Sequence, residues 1–257
     1  MTGQLRTEFT GTVATATFDR PEARNAMTWE MYDGLAEFCE RVAADPRVRV
    51  VVLRGAGGKA FVAGTDIAQF RDFSTGADGH EYERRIDAVV DAVERIPVPT
   101  IAVIGGYATG GGLTLAAACD LRICSQSAKF GLPIARTVGN CLSMRNYARL
   151  VSLIGAGRAM HLICTAGFIG AEQAERAGLA SEVLSESELD GRVAELCAQL
   201  ADQAPLTMRA SKEAIRRLRE HALPSGDDLV ESCYGSEDFR EGVRAFTEKR
   251  RPQWRGR

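Results

Sequence analysis

Apolar residues along this chain switch between two spacings, and the switches predict the elements. Residues 11–19 (GTVATATFD) are rich in Thr and Val and read as a strand, stopped by Arg20-Pro21. Thr28 is placed to cap a helix whose apolar stripe is Met31, Leu35, Phe38 and Val42, and Asp45-Pro46 ends it. Val48 and Val50 to Leu53 then form a continuous apolar run, the pattern of a strand buried on both faces. A glycine-containing loop, GAGGKAFVAGTDI, follows at 55–67, and the polar stretch around Ser74 to Gly79 reads as a mobile loop. Ile86, Val89, Val90, Val93 and Ile96 mark a second amphipathic helix, closed by Pro97 and Pro99.

The centre repeats the alternation. Thr100 to Ile104 is a strand, GGYATGGG a glycine turn, Leu113 to Ala118 a small-residue helix and Leu121 to Cys124 another strand. Strands alternating with helices place the chain in the α/β class. From Met144 onward the pattern is helical, apart from a short strand near Ala180 to Leu184 after Gly178. The tail, from about Ala204, carries apolar positions such as Leu206, Ile215 and Leu218 without a sheet of its own. Such a tail packs on the body or on a neighbouring subunit. The chain therefore divides into a core at 1–200 and a helical C-terminal region at 201–257.

Composition narrows the function classes. The 257 residues allow one large domain, and 45% hydrophobic against 26% charged residues is the balance of a globular protein with a real core. With 32 basic and 34 acidic residues, bulk neutralisation of a nucleic acid is not expected. No apolar run reaches membrane-spanning length, and the start, MTGQLRTEFTG, lacks the apolar stretch of a signal peptide. Seven cysteines without a CxxC pair suit a reducing, cytoplasmic setting. His80, His161 and His221 are widely spaced, which disfavours a zinc site and a Ser–His–Asp triad, so no metal is expected. No GxGxxG, GxxxxGK[ST] or GxSxG is present.

The glycines cluster in two loops. In FVAGTDI (61–67), Ala63-Gly64 offers backbone that a ligand can approach closely. In GGYATGGGLTL, Gly110, Gly111 and Gly112 stand directly before a helix, whose first N–H groups lack helical partners and bind anions or a developing oxyanion. Taken singly, either loop is equally a tight turn. Together, RPEARNAMT, FVAGTDI, IAVIGGYATGGGLTLAAACDLRICS, AKFGLP and FTEKRRPQW resemble, in that order, the enoyl-CoA hydratase/isomerase family, the crotonases.

That resemblance implies a crotonase-like spiral of ββα units with a helical C-terminal trimerisation region, giving a homotrimer or a dimer of trimers. It implies an acyl-CoA thioester as substrate, with coenzyme A as part of it and no prosthetic group. The thioester oxygen would be held by two backbone amides, which motif matching places on Ala63 and Gly111. Gly64, Thr65, Asp66 and Ile67 of the first loop, together with Arg24, Phe246 and Lys249, would contact coenzyme A, the last two from a neighbouring subunit. The plain alternative for Lys249 to Arg251 is a solvated tail.

The chain also departs from the family. Hydration calls for a pair of carboxylates to activate water and deliver a proton. The family places them in GGGxE and FGxPE, where this chain has Thr114 and Ile134. Arg136, Asn140 and Cys141 occupy the second catalytic segment: a substrate clamp or surface arginine, a group orienting water or a carbonyl, and a nucleophile or inert packing. Asp66 and Asp120 read as a cap or ion pair, and His80 as a solvent-exposed loop residue. Any hydration would need an acid from Asp66, Asp120 or the Asp72 to Glu83 stretch. The leading reading is an acyl-CoA enzyme with an unusual reaction. The alternatives are a non-catalytic acyl-CoA-binding or scaffold subunit and, weakly, a serine peptidase on a related spiral fold.

Overall fold

The computed structural model describes residues 3–221 and 223–257, so Met1, Thr2 and Ala222 of the two expected segments lie outside the described residues. A hairpin of β1 (Gln4–Thr10) and β2 (Val13–Asp19) opens the chain, in antiparallel register from Gln4 opposite Asp19 to Thr10 opposite Val13. The sequence reading missed β1, although Leu5 and Phe9 stand on one strand face and pack against the core.

Thr28 caps α1 (Trp29–Ala44), its side chain accepting the Met31 N–H at 3.4 Å. β3 (Val50–Gly55), β5 (Thr100–Ile104), β7 (Leu121–Ser125) and β10 (Glu182–Leu184) then extend the first sheet in the order β1-β2-β3-β5-β7-β10, parallel from β2 onward. The second sheet holds β4 (Ala60–Val62), β6 (Tyr107–Thr109), β8 (Lys129–Gly131) and β9 (Phe168–Gly170), in that order. One layout repeats three times. β3 and β4, β5 and β6, and β7 and β8 each put their first strand in the large sheet and their second in the small one. Helices α2 (Gly76–Glu94), α3 (Gly111–Ala118) and α4 (Met144–Thr165) follow the three pairs in turn. This is the expected spiral of ββα units.

The alternation of side chains along the buried strands sorts the core into two parts. Val51, Leu53, Ala102 and Ile104 face the main core with α1 and α2. Val50, Val52, Ile101, Val103 and Ile123 face α6 (Glu186–Asp202) through its Leu189, Val193, Leu196 and Cys197. Both faces are covered, which is why these strands read as continuous apolar runs. α4 is tied to α2 by the buried Arg149, which donates to Asn146 at 2.9 Å and to Glu94 at 3.1 Å, and pairs with Asp91.

One expectation needs correction. Ser74 to Gly79 is not a mobile loop: α2 starts at Gly76, and the N–H groups of Ser74 and Thr75 both donate to Asp78 at 2.9 Å. Part of the 201–257 region packs on its own chain, one of the two placements expected for it. α7 (Pro205–Glu220) buries no residue, whereas α8 (Asp227–Tyr234) packs on α2 and α9 (Glu237–Thr247) packs on the 3-10 turn Ile67–Phe70 of its own chain. Among the described residues no helix is long and apolar enough to cross a membrane.

Candidate active site at the crossing of the two glycine loops

Backbone geometry brings the two loops together. After β4 the chain turns through Gly64 at φ +98°, a conformation that favours glycine. After β6 it turns through Gly110 at φ +53° directly into α3. The loops touch at Gly112, where an added Cβ would sit 2.0 Å from the Val62 carbonyl oxygen.

The N–H groups at this crossing are unequally engaged. Ala63 N–H donates to the Arg24 carbonyl at 3.1 Å, and Asp66 N–H to Met27 O at 2.9 Å. Gly110 N–H donates to Gly131 O at 3.1 Å. Thr65 N–H and Gly111 N–H, the latter the first of α3, have no acceptor among the described residues. A Cβ on Gly111 would lie 3.9 Å from the Thr65 nitrogen, so these two donors are neighbours. The expected pair is corrected on this point: Ala63 spends its N–H inside the fold, and Thr65 supplies the unengaged donor of its loop. The Thr65 hydroxyl is locked by hydrogen bonds to Tyr32 OH at 2.8 Å and Tyr82 OH at 2.7 Å.

Both donors line a cavity of about 390 Å³. Ala63, Gly64, Asp66 and Ile67 line it as well, as do Thr114, Ile134 and Asn140 from the later segments. Thr114 donates its hydroxyl to Gly111 O at 2.8 Å, so that group is already used. The exposed Arg24 and Phe246 line it too, and Arg24 stacks over the Tyr107 ring at 5.2 Å. Phe246 reaches the cavity of its own chain.

Other expected residues lie elsewhere. Lys249 and Arg136 are exposed and outside the cavity lining. Cys141 is buried beside it, its thiol pushed up by its contact with Cys233 and by burial, so it is no ready nucleophile. Asp66 caps the Ile67–Phe70 turn and pairs with Arg20 at 2.7 Å. Asp120 accepts the Thr100 N–H at 2.8 Å and pairs with Lys212. His80 lies within α2 rather than in a loop, 3.3 Å from Glu231.

Sequence reasoning reached Glu83 only as the end of the Asp72 to Glu83 stretch of possible acids. Glu83 lines the cavity from α2 and is 6% exposed. One carboxyl oxygen accepts the Tyr234 OH at 2.6 Å and the other accepts the Ser143 N–H at 3.0 Å. Burial pushes its pKa up to about 8, and the nearby Asp87 carboxyl adds to the rise. A signal existed: Tyr82, Glu83, Ile86 and Val90 share the buried face of α2, so an acid stands on an apolar stripe.

Comparison with known proteins agrees with the order of motifs. The family model for enoyl-CoA hydratase/isomerase matches residues 8–257. The (E)-benzylidenesuccinyl-CoA hydratase of Thauera aromatica is 37% identical over 97% of this chain and 98% of its own. The short-chain-enoyl-CoA hydratase of Clostridium acetobutylicum is 34% identical over 94% and 93%. Among solved structures, methylmalonyl-CoA decarboxylase in complex with 2-nitronate-propionyl-CoA superposes with a TM-score of 0.90 at 26% identity, covering 99% of both chains.

Proposed function

The chain belongs to the enoyl-CoA hydratase/isomerase family, and on that premise we propose that it is an enzyme that binds an acyl-CoA thioester with the carbonyl oxygen between the Thr65 and Gly111 N–H groups. The observation that carries this reading is the pair of neighbouring, unengaged donors facing one cavity. Negative charge develops on a thioester oxygen when the α-carbon loses a proton or the β-carbon is attacked. Each preorganised donor is worth about 3–4 kcal/mol to such a state. Arg24 at the cavity suits the phosphates of coenzyme A, and Ile67 and Phe246 suit its pantetheine arm. Lys249, exposed and outside the cavity lining, is proposed to meet coenzyme A bound by a neighbouring copy of the chain.

The reaction is proposed to differ from ordinary hydration. Thr114 and Ile134 line the cavity where family members of the hydratase type carry glutamates, and neither side chain ionises near pH 7. Losing two acid–base groups, each worth ~100- to 10,000-fold, leaves crotonyl-CoA hydration slow or undetectable. Titration with crotonyl-CoA tests both statements. Binding is expected to shift the conjugated thioester absorbance to longer wavelength, as two donors polarise the carbonyl, and the signal is then expected to persist rather than decay. An unshifted spectrum at saturation would overturn the two-donor site. Turnover on the order of 10 per second would overturn the departure from hydration. A shift with no chemistry on any thioester would favour the binding-subunit reading.

A further inference from the structure

Two carboxyl groups line the cavity, Asp66 and Glu83, and they are held in opposite ways. Asp66 is partly exposed and paired with Arg20. Glu83 is buried and has no cationic partner among the described residues, whereas the other buried acid among them, Glu241, sits against Arg250, and the half-buried Glu94 sits against Arg149 and Arg219. Placing an unpaired carboxyl in a protein interior is costly, and the fold here offsets the cost only with neutral donors. Those donors fix its geometry. Tyr234 OH and Ser143 N–H each hold one oxygen, and Asn140 donates to Tyr234 OH at 3.2 Å. Each carboxyl oxygen keeps a second lone pair.

We propose that Glu83 is the catalytic acid–base group of this site, moving a proton to and from the α-carbon of the bound acyl thioester, with Tyr234 and Asn140 as its positioning residues. The proposal rests on the acyl-CoA reading above. In the forward step the Glu83 carboxylate takes the α-proton. The C–H electron pair becomes the enolate double bond, and the carbonyl π pair moves to the oxygen held by Thr65 and Gly111. In the return step the Glu83 carboxylic acid gives a proton back to the carbon, restoring the carboxylate. No oxidant, reductant or second substrate enters.

The same step makes its test. Butyryl-CoA has an α-carbon and no double bond to hydrate, so the protein in D2O is expected to exchange its α-hydrogens for deuterium, read by mass spectrometry. Glu83→Gln keeps the shape and removes the base, and is expected to lower exchange at least 100-fold with butyryl-CoA affinity within about threefold. Glu83→Asp, checked for folding by circular dichroism, is expected to recover part of the exchange. Tyr234→Phe is expected to shift the pH profile of exchange while leaving binding intact. Exchange by Glu83→Gln at the unmodified rate, or binding without any exchange by the unmodified protein, would overturn the assignment to Glu83 and leave the acyl-CoA site standing. Failure of the unmodified protein to bind butyryl-CoA would overturn the acyl-CoA reading itself.

Discussion

Glu83 shows how much a single position depends on what surrounds it. Its neighbours are the phenols of Tyr32, Tyr82, Tyr147 and Tyr234, the Cys141 thiol and the Asp87 carboxyl, none of them a cation. Its carboxyl is held at about 8 in the folded protein against an ordinary value of 4.5. Between those limits the folded state keeps a proton that the unfolded state releases, so this group makes stability fall as pH rises through the window. Glu83→Gln removes that dependence. The melting temperature of the variant minus that of the parent is therefore expected to grow more positive from pH 5 to pH 8. Cys233, drawn down by its contact with the Cys141 thiol, is a second group whose charge can change with pH, so the comparison belongs in a Cys233→Ser background. A flat difference would show that Glu83 ionises as an exposed acid does. The residue scale also marks a limit of motif matching. A motif locates a loop, but which N–H in it is unengaged depends on distant partners, and Arg24 O decides that for Ala63.

Helices and long strands were legible because their apolar spacing persists over several turns or residues. α1, β3 and β5 follow the expected ranges closely. β4, β6, β8 and β9 have three residues each, too few to establish a period, and β6 lies inside what reads as a glycine turn. Yet these short strands carry the glycine loops, so the site's frame was the least readable part of the fold. Polar ties between elements were equally hidden. Arg149 of α4 is 1% exposed and faces Asp91 and Glu94 of α2. Arg149→Ala is expected to cost about 3 kcal/mol, the usual penalty for stranding buried charge. Urea unfolding should show it as a lowered midpoint at unchanged slope; a change within 0.5 kcal/mol would mean that Arg145 and Arg219 compensate.

At the scale of the molecule, the unpartnered surface is on α7. Leu206, Ile215 and Leu218 are 77%, 66% and 78% exposed, on the one α-helix among the described residues that buries no residue. We expect this face to meet further copies of the chain in a closed ring, a trimer or a dimer of trimers. Sedimentation of the parent should give that mass, and Ile215→Asp with Leu218→Asp should reduce it while circular dichroism is retained. A folded parent that sediments as a single chain at micromolar concentration would remove the expectation.

The aromatic ring of Phe246 belongs to the last helix, yet it lines the cavity built around residues 63–65 and 109–111. Occupancy of the cavity and docking of the chain's end are therefore linked equilibria: whatever ligand free energy is gained only when α9 is seated is added to the cost of lifting it. Amide hydrogen exchange reads that cost segment by segment. Saturating butyryl-CoA should slow exchange in Glu237–Thr247 while leaving α6, on the far face of the large sheet, unchanged. The chain's end would then report on a ligand gripped some 180 residues earlier, and release of product would be timed by how often that end lets go.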